Sequence, residues 1–146
     1  MKSRSHRRAR SFRTGFTIIE VIVIVTIIGI IAAVIAPRLF ARIGQSKQTV
    51  AKSNASSLAS AMKTFMIDHG KPESGSTIMI LFERPSGIDE AKWQPYVDNK
   101  EALVDPWGKE FVLLIPPQKN VDFDIVSYGA DGIPGGTGEN ADIVVP

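Results

Sequence analysis

The stretch Gly15-Phe16-Thr17-Ile18-Ile19-Glu20-Val21 opens a long apolar run and decides how the rest of the chain is read. Ahead of it, Met1–Gly15 holds six basic residues (Lys2, Arg4, Arg7, Arg8, Arg10, Arg13) and no acidic one. Behind it, Phe16–Phe40 is dominated by Ile, Val and Ala, interrupted by Thr17, Glu20, Thr26 and Arg38. As a helix, those residues span about 37 Å, against roughly 30 Å of bilayer hydrocarbon. The β-branched content invites a strand, but the run has no period-2 alternation and is far longer than ordinary strands. A membrane-spanning helix is the better reading. The basic block before it holds the N-terminus in the cytoplasm and sends the remainder outward.

Glu20 is the anomaly in this run. A carboxylate inside a lipid-facing helix is costly and needs a partner. A plain reading is that it lies near the interface and snorkels to headgroups. A secretory signal peptide cut near Ala33–Ala36 is a second alternative. It is disfavoured because the apolar run exceeds a 7–15-residue core and Pro37 follows the natural cut.

Working outward, apolar residues recur at Leu39, Ile43, Val50, Leu58, Ala61, Met62, Phe65 and Met66. From Leu58 the spacing is that of one stripe of an amphipathic helix. His69-Gly70-Lys71-Pro72 supplies its stop, with His69 read as an exposed capping residue. One long helix is therefore expected, kinked near Pro37, its lower half in lipid and its upper half on a small head. Lys71–Lys100 is rich in turn residues and reads as loop, with a short helix around Asp89–Val97. Strands are expected at Glu110–Ile115, Phe123–Tyr128 and Asp142–Val145, paired antiparallel. The predicted class is α+β: a long N-terminal helix packed on a small antiparallel sheet. The predicted organisation is a leader over 1–15, a transmembrane and core helix over 16–40, and a head over 41–146.

Composition excludes several functions. Outside the basic block, 11 Lys and Arg face 15 Asp and Glu, leaving residues 16–146 at −4. A nucleic-acid binder needs its basic charge on the folded part, so nucleic acid is disfavoured as a partner. The chain has no cysteine and only two histidines, His6 and His69. No Ser/His/Asp spacing, phosphate-binding loop or zinc pair is visible, and the glycine-rich GADGIPGG at 129–136 has no apolar helix after it. No enzymatic activity is predicted.

The segment Gly15–Val21 after a basic leader closely resembles the processing signature of type IV pilins and pseudopilins, G-F-T-L-x-E before an apolar helix. The resemblance implies cleavage between Gly15 and Phe16 by a prepilin peptidase and N-methylation of Phe16. The new Phe16 amine is then a cation at the depth of Glu20. A Glu20 on one subunit can neutralise the Phe16 amine of a neighbour, so the pair sets the axial register of assembly. A second resemblance lies near the C-terminus. Asp105-Pro106-Trp107-Gly108, then Asp124-Ile125-Val126-Ser127-Tyr128-Gly129-Ala130-Asp131-Gly132, then Gly135-Gly136 and Ala141-Asp142-Ile143 resemble the major pseudopilins of type II secretion systems. About half the chain carries these resemblances, and residues 71–100 depart from the family pattern. Asp105–Gly108 is expected to form a turn that buries Trp107.

By composition alone, the loop of residues 128–142 is a solvated acidic hairpin. The family resemblance implies instead that it binds one Ca²⁺. Calcium takes six to eight oxygens from carboxylates and carbonyls. The expected ligands are Asp131 and Asp142, then Asn140 and Glu139, with the carbonyls of Tyr128 and Ile133. The resemblance further implies a structural subunit that polymerises into a periplasmic pseudopilus driving protein export. Its expected partners are its own copies, minor pseudopilins, the prepilin peptidase and an inner-membrane assembly platform. Its expected location is the bacterial inner membrane, as a single-pass protein with a periplasmic head. The alternatives are a type IV pilin or minor pseudopilin, and a non-polymerising membrane-tethered calcium-binding protein. The missing disulfide and the presence of Glu20 favour the major pseudopilin.

Overall fold

The computed structural model describes residues 15–146, so of the predicted leader only Gly15 lies within it. The chain divides into two compact units, up to Leu39 and from Phe40 to Pro146.

A single α-helix, α1, runs from Ile18 to His69 and contains Pro37. Its start is a reciprocal cap: the Glu20 N–H donates to the Thr17 hydroxyl at 3.2 Å, and the Thr17 N–H points back at the Glu20 carboxylate at 3.5 Å. Its end is the expected one, with Gly70 at positive φ and its N–H donating to the Met66 carbonyl. Among the described residues of the first unit the apolar side chains stand exposed: Phe16 is 78 % exposed, and Ile18 to Leu39 show the same pattern. This is the one described helix long and apolar enough to cross a membrane. Thr26 satisfies its hydroxyl on the Ile22 carbonyl.

The second unit is built on the other end of α1. Ala51, Ala55, Leu58, Ala59, Met62 and Phe65 form its buried face. The stripe predicted from Leu58 is therefore real. Upstream of it small alanines take over, and Val50 stays exposed. Alanine at 51, 55 and 59 falls on successive turns of one face, which lets the opposing residues approach the helix closely. Against this face pack Ile78, Leu81, Leu103, Phe111, Leu113, Phe123, Ile125 and Ile143.

Three antiparallel strands follow, β1 (Val112–Leu114), β2 (Asp124–Ser127) and β3 (Ile143–Val145), in the order β1-β2-β3. Leu113 faces Ile125, and Ile125 faces Val145. All three predicted strands exist, each shorter than expected. An isolated bridge between Val104 and Glu110 replaces the first part of β1. The central strand β2 is buried along its whole length.

Residues 71–100 hold more order than their composition announces. A 3-10 turn at Ile78–Leu81 buries Ile78 and Leu81. The expected helix at Asp89–Val97 is reduced to one 3-10 turn, Glu90–Lys92, capped by Asp89. His69 is a correction: it is half-buried, not an exposed cap. Its ring lies 5.2 Å from Phe65, 6.0 Å from Trp93 and 6.1 Å from Tyr96, centroid to centroid. The chain after Gly70 folds back and closes an aromatic cluster over the helix end, which helical spacing alone does not reveal. Tyr96 donates to Asp68 at 2.8 Å, and burial together with that carboxylate pushes its pKa up to about 12.

This packing makes a direct prediction. Phe123→Ala should cost the head about 3–5 kcal/mol in denaturant unfolding of the detergent-solubilised chain. Val121→Ala, at a side chain 88 % exposed, should stay within about 0.5 kcal/mol.

Candidate functional site

Two regions carry the residues singled out from the sequence, and each is described in its own unit. At the start of α1, Gly15, Phe16 and Thr17 precede the helix. A Cβ added at Gly15 would meet nothing within 4 Å, so packing gives no reason for a glycine there. Phe16 is exposed, and among the described residues the Glu20 carboxylate accepts from the Thr17 N–H. Among the described residues the ion pairs are Lys71–Asp122 and Lys100–Glu83, and Glu20 is in neither. Thr17 was missed as a capping partner, although its T-x-x-E spacing with Glu20 was open to reading.

In the head, the glycine loop leaves β2 at Tyr128 and returns at Asp142. Its root is tight: the Ala130 N–H donates to the Glu139 carbonyl at 3.0 Å, and the Gly132 N–H to the Tyr128 carbonyl at 3.1 Å. Gly129 has a positive φ, and a Cβ there would lie 2.7 Å from the Glu139 carbonyl oxygen. Only glycine lets the two arms of the loop approach this closely.

Asp142 lines a small cavity of about 100 Å³ on the outer side of β2, shared with Tyr128, Pro134 and Asp124. One of its carboxylate oxygens accepts from the Gly135 N–H at 2.8 Å; the other is buried without a partner. Asp131 stands on the exposed arm, where its carboxylate accepts from the Ile133 N–H at 3.1 Å. Asn140 ends the 3-10 turn Gly138–Asn140, packed against Gly136. Glu139 turns elsewhere. Its carboxylate accepts from the Trp107 indole N–H at 3.2 Å and covers Gly44 of α1. Tyr128 and Asp142 thus share one cavity, while Asp131 and Ile133 stand apart on the exposed arm.

Asp124, on the same outer side, is fully buried. It accepts from the backbone N–H groups of Gln118, Lys119 and Asn120 and from the Asn120 side chain. Burial alone would raise its pKa. The hydrogen bonds outweigh burial and hold the carboxyl below the usual carboxylate range.

The family model for type II secretion system protein G matches residues 38–146, and that for the prokaryotic N-terminal methylation motif matches residues 10–36. The chain belongs to the type II secretion system protein G family. The type II secretion system core protein G of Pseudomonas aeruginosa is 38% identical to it, over 92% of this chain and 95% of that one. The protein of the same description from Vibrio cholerae is 31% identical, over 90% of each chain. Among solved structures, the major pseudopilin of the type 2 secretion system of enterohaemorrhagic Escherichia coli superposes with a TM-score of 0.57 at 25% identity. That match covers 74% of this chain and 93% of that one. The chain is accordingly a structural subunit of the pseudopilin type, with one described helix long and apolar enough to cross a membrane and with the α+β architecture read from its sequence.

Among the described residues, no group of three or more His, Cys, Asp or Glu side chains gathers as a metal cluster. The donors of the glycine loop nevertheless fit calcium in kind. They are all oxygens, the two carboxylates balance a divalent charge, and the orphaned buried oxygen of Asp142 is a group that a hard cation would satisfy.

Gln48 holds the loop from α1 and was not singled out from the sequence, whereas Asp105 was read only as the start of a turn. Gln48 of α1 donates to the carbonyls of Glu139 and Ala141, at 3.2 and 2.9 Å. Asp105, in the expected turn, is buried and accepts from the N–H groups of Trp107 and Lys109 and from the Ser127 hydroxyl. Trp107 itself is only half-buried. Nothing in a lone helical glutamine announces such a contact.

Gly129→Ala should destabilise the head by about 1–3 kcal/mol in thermal unfolding, since a non-glycine residue is strained at this φ. Asp124, with its lowered pKa, stabilises the fold above the unfolded carboxyl value of about 4, and this is lost as pH falls through the folded value. Asp124→Asn should therefore weaken the head near neutral pH and flatten the acid limb of its stability profile.

Proposed function

We propose that this chain is a repeating subunit of a periplasmic pseudopilus that drives protein export, assembled through its apolar helix after removal of the leader. The observation that carries this reading is Glu20: a carboxylate inside an exposed apolar helix, just after Gly15-Phe16, without a cationic partner among the described residues.

Cleavage between Gly15 and Phe16 by a prepilin peptidase creates an amine at Phe16, which is then N-methylated. In lipid or in a filament core, the carboxylate and the amine of neighbouring copies neutralise each other. Removing one partner of such a pair strands a buried charge, at a cost of about 3–5 kcal/mol. That cost selects the axial offset at which copies stack. Before assembly, Phe16–Phe40 spans the inner membrane with the N-terminus in the cytoplasm and the head, residues 41–146, in the periplasm. The partners are other copies of this chain, minor pseudopilins and an inner-membrane assembly platform. No catalytic role is assigned.

We also assign the glycine loop to calcium. Asp131 and Asp142 supply the charged ligands, with Asn140 and the carbonyls of Tyr128 and Ile133 as neutral ones. Glu139 is left out because its carboxylate is committed to Trp107. Calcium, when bound, would tie together the two ends of the loop.

The test is the intact mass and N-terminal residue of the membrane-extracted chain, together with Glu20→Ala. The expected result is an N-methylated Phe16 in both proteins, with filaments from the parent chain and none from the variant. Normal filaments from Glu20→Ala would remove the proposed role of Glu20, and a start near Pro37 would remove the proposed processing.

A further inference from the structure

Charge is divided unevenly within the head unit. Between Phe40 and Ile67, α1 carries four basic residues, Arg42, Lys47, Lys52 and Lys63, and no acidic one. Residues 71–146 hold six basic residues against thirteen acidic ones. The ion pairs among the described residues, Lys71–Asp122 and Lys100–Glu83, take in none of the four helix cations.

Lys52 and Lys63 are both exposed, and eleven residues, about three full turns, separate them, so they share one flank of α1. Each follows a buried residue, Ala51 or Met62, and so stands about 100° round the helix from it. Between them Ser56 and Ser60 close their hydroxyls on the carbonyls of Lys52 and Ser56, at 2.9 and 3.1 Å. That flank is positive, and its remaining polar groups are spent on the helix itself. The acidic counterpart lies on the other flank. Asp98 borders a cleft with Asn54, Ser57 and Ala61 of α1, and Ala61 is about 200° round the helix from Lys63. Glu101 is three residues further on, in the 3-10 turn Lys100–Leu103. Both are exposed, and among the described residues neither is in an ion pair.

One side of the unit is thus positive and the opposite side negative. Two copies paired symmetrically through either side would set like charges together. Copies placed side by side in the same sense bring opposite charges together. Such a contact uses a different surface on each partner, leaves one of each kind free, and so repeats. We propose that the flank of α1 bearing Lys52 and Lys63 docks on the edge bearing Asp98 and Glu101 of a second copy of this chain. This deepens the reading of a repeating subunit under Proposed function and rests on it: the Glu20 pair selects the axial offset, and these charges select which side of one copy faces the next. Each exposed pair is weak alone, so the contact acts by repetition and by excluding the wrong facing.

The chain has no cysteine, so paired cysteines report the contact directly. In the full chain produced in its native host, Asp98→Cys is combined with Lys52→Cys or with Lys63→Cys and the filaments are oxidised. At least one of the two pairs should give a ladder of disulfide-linked multimers, and Asp98→Cys alone should give nothing beyond a dimer. Reversing the basic flank with Lys52→Glu and Lys63→Glu should lower filament yield at least about tenfold. Adding Asp98→Lys and Glu101→Lys should return it to within about threefold of the parent. Normal filaments from the lysine reversal, or filaments in which neither cysteine pair gives a ladder, overturn the proposal. So does a loss that the second reversal leaves in place, the result expected if an anionic lipid surface or a different protein occupied the lysines. Where a charge variant no longer unfolds cooperatively, the cysteine pairs decide. A parent chain that is processed but forms no filaments removes the reading under Proposed function itself, so the two failures are distinguishable.

Discussion

Among the described residues, the large apolar side chains at the start of α1 have no neighbours to bury them. At roughly 25 cal/mol for each Å² of apolar surface kept from water, this helix cannot remain exposed; it needs lipid or other copies of itself. Every other feature of the helix start is compatible with that demand. Thr26 closes its hydroxyl on the helix backbone, Thr17 and Glu20 cap the first turn reciprocally, and Gly15 leaves the chain before Phe16 open. Glu20 alone resists it, and a group costly in one setting is informative about the setting it was selected for.

The same helix then changes role. Where the large residues faced outward, alanines at 51, 55 and 59 draw the head onto one face, with Leu58, Met62 and Phe65 completing the contact. The strands are short, three or four residues each, and the sheet has a single central strand. So small a sheet gains stability only by covering β2 on both sides: α1 and its core on one, the segment at 118–120 and the glycine loop on the other. Buried polar groups make the second cover specific. Asp124 ties down residues 118–120, while Asp105 links the turn before β1 to Ser127 at the end of β2. Both carboxylates are buried, and each is satisfied by several donors, as the cost of burying charge requires.

The loop at residues 128–142 shows how such a cover is held. Its two arms are joined by the backbone bond from the Ala130 N–H to the Glu139 carbonyl, its far end is held by Gln48, and Trp107 anchors Glu139. Among the buried side-chain atoms of this loop, one carboxylate oxygen of Asp142 is left without a partner.

By itself the sequence determined the features that depend on local period and local chemistry. These are the uninterrupted apolar run, the helix that ends at His69-Gly70, the three strands and their antiparallel pairing, and the processing-type pattern at Gly15–Glu20. Each is a relation between residues a few positions apart, where spacing alone carries the physics. What only the tertiary structure decided are the contacts across long separations in the chain. Glu139 turned to Trp107, His69 entered the aromatic cluster, Ile78 and Leu81 reached the core from a stretch read as loop, and Lys109 crossed to the glycine loop. A side chain's partner at such distance depends on how close two backbones come, and that is set by the packing of alanines, glycines and turns acting together, which no pattern along the chain encodes.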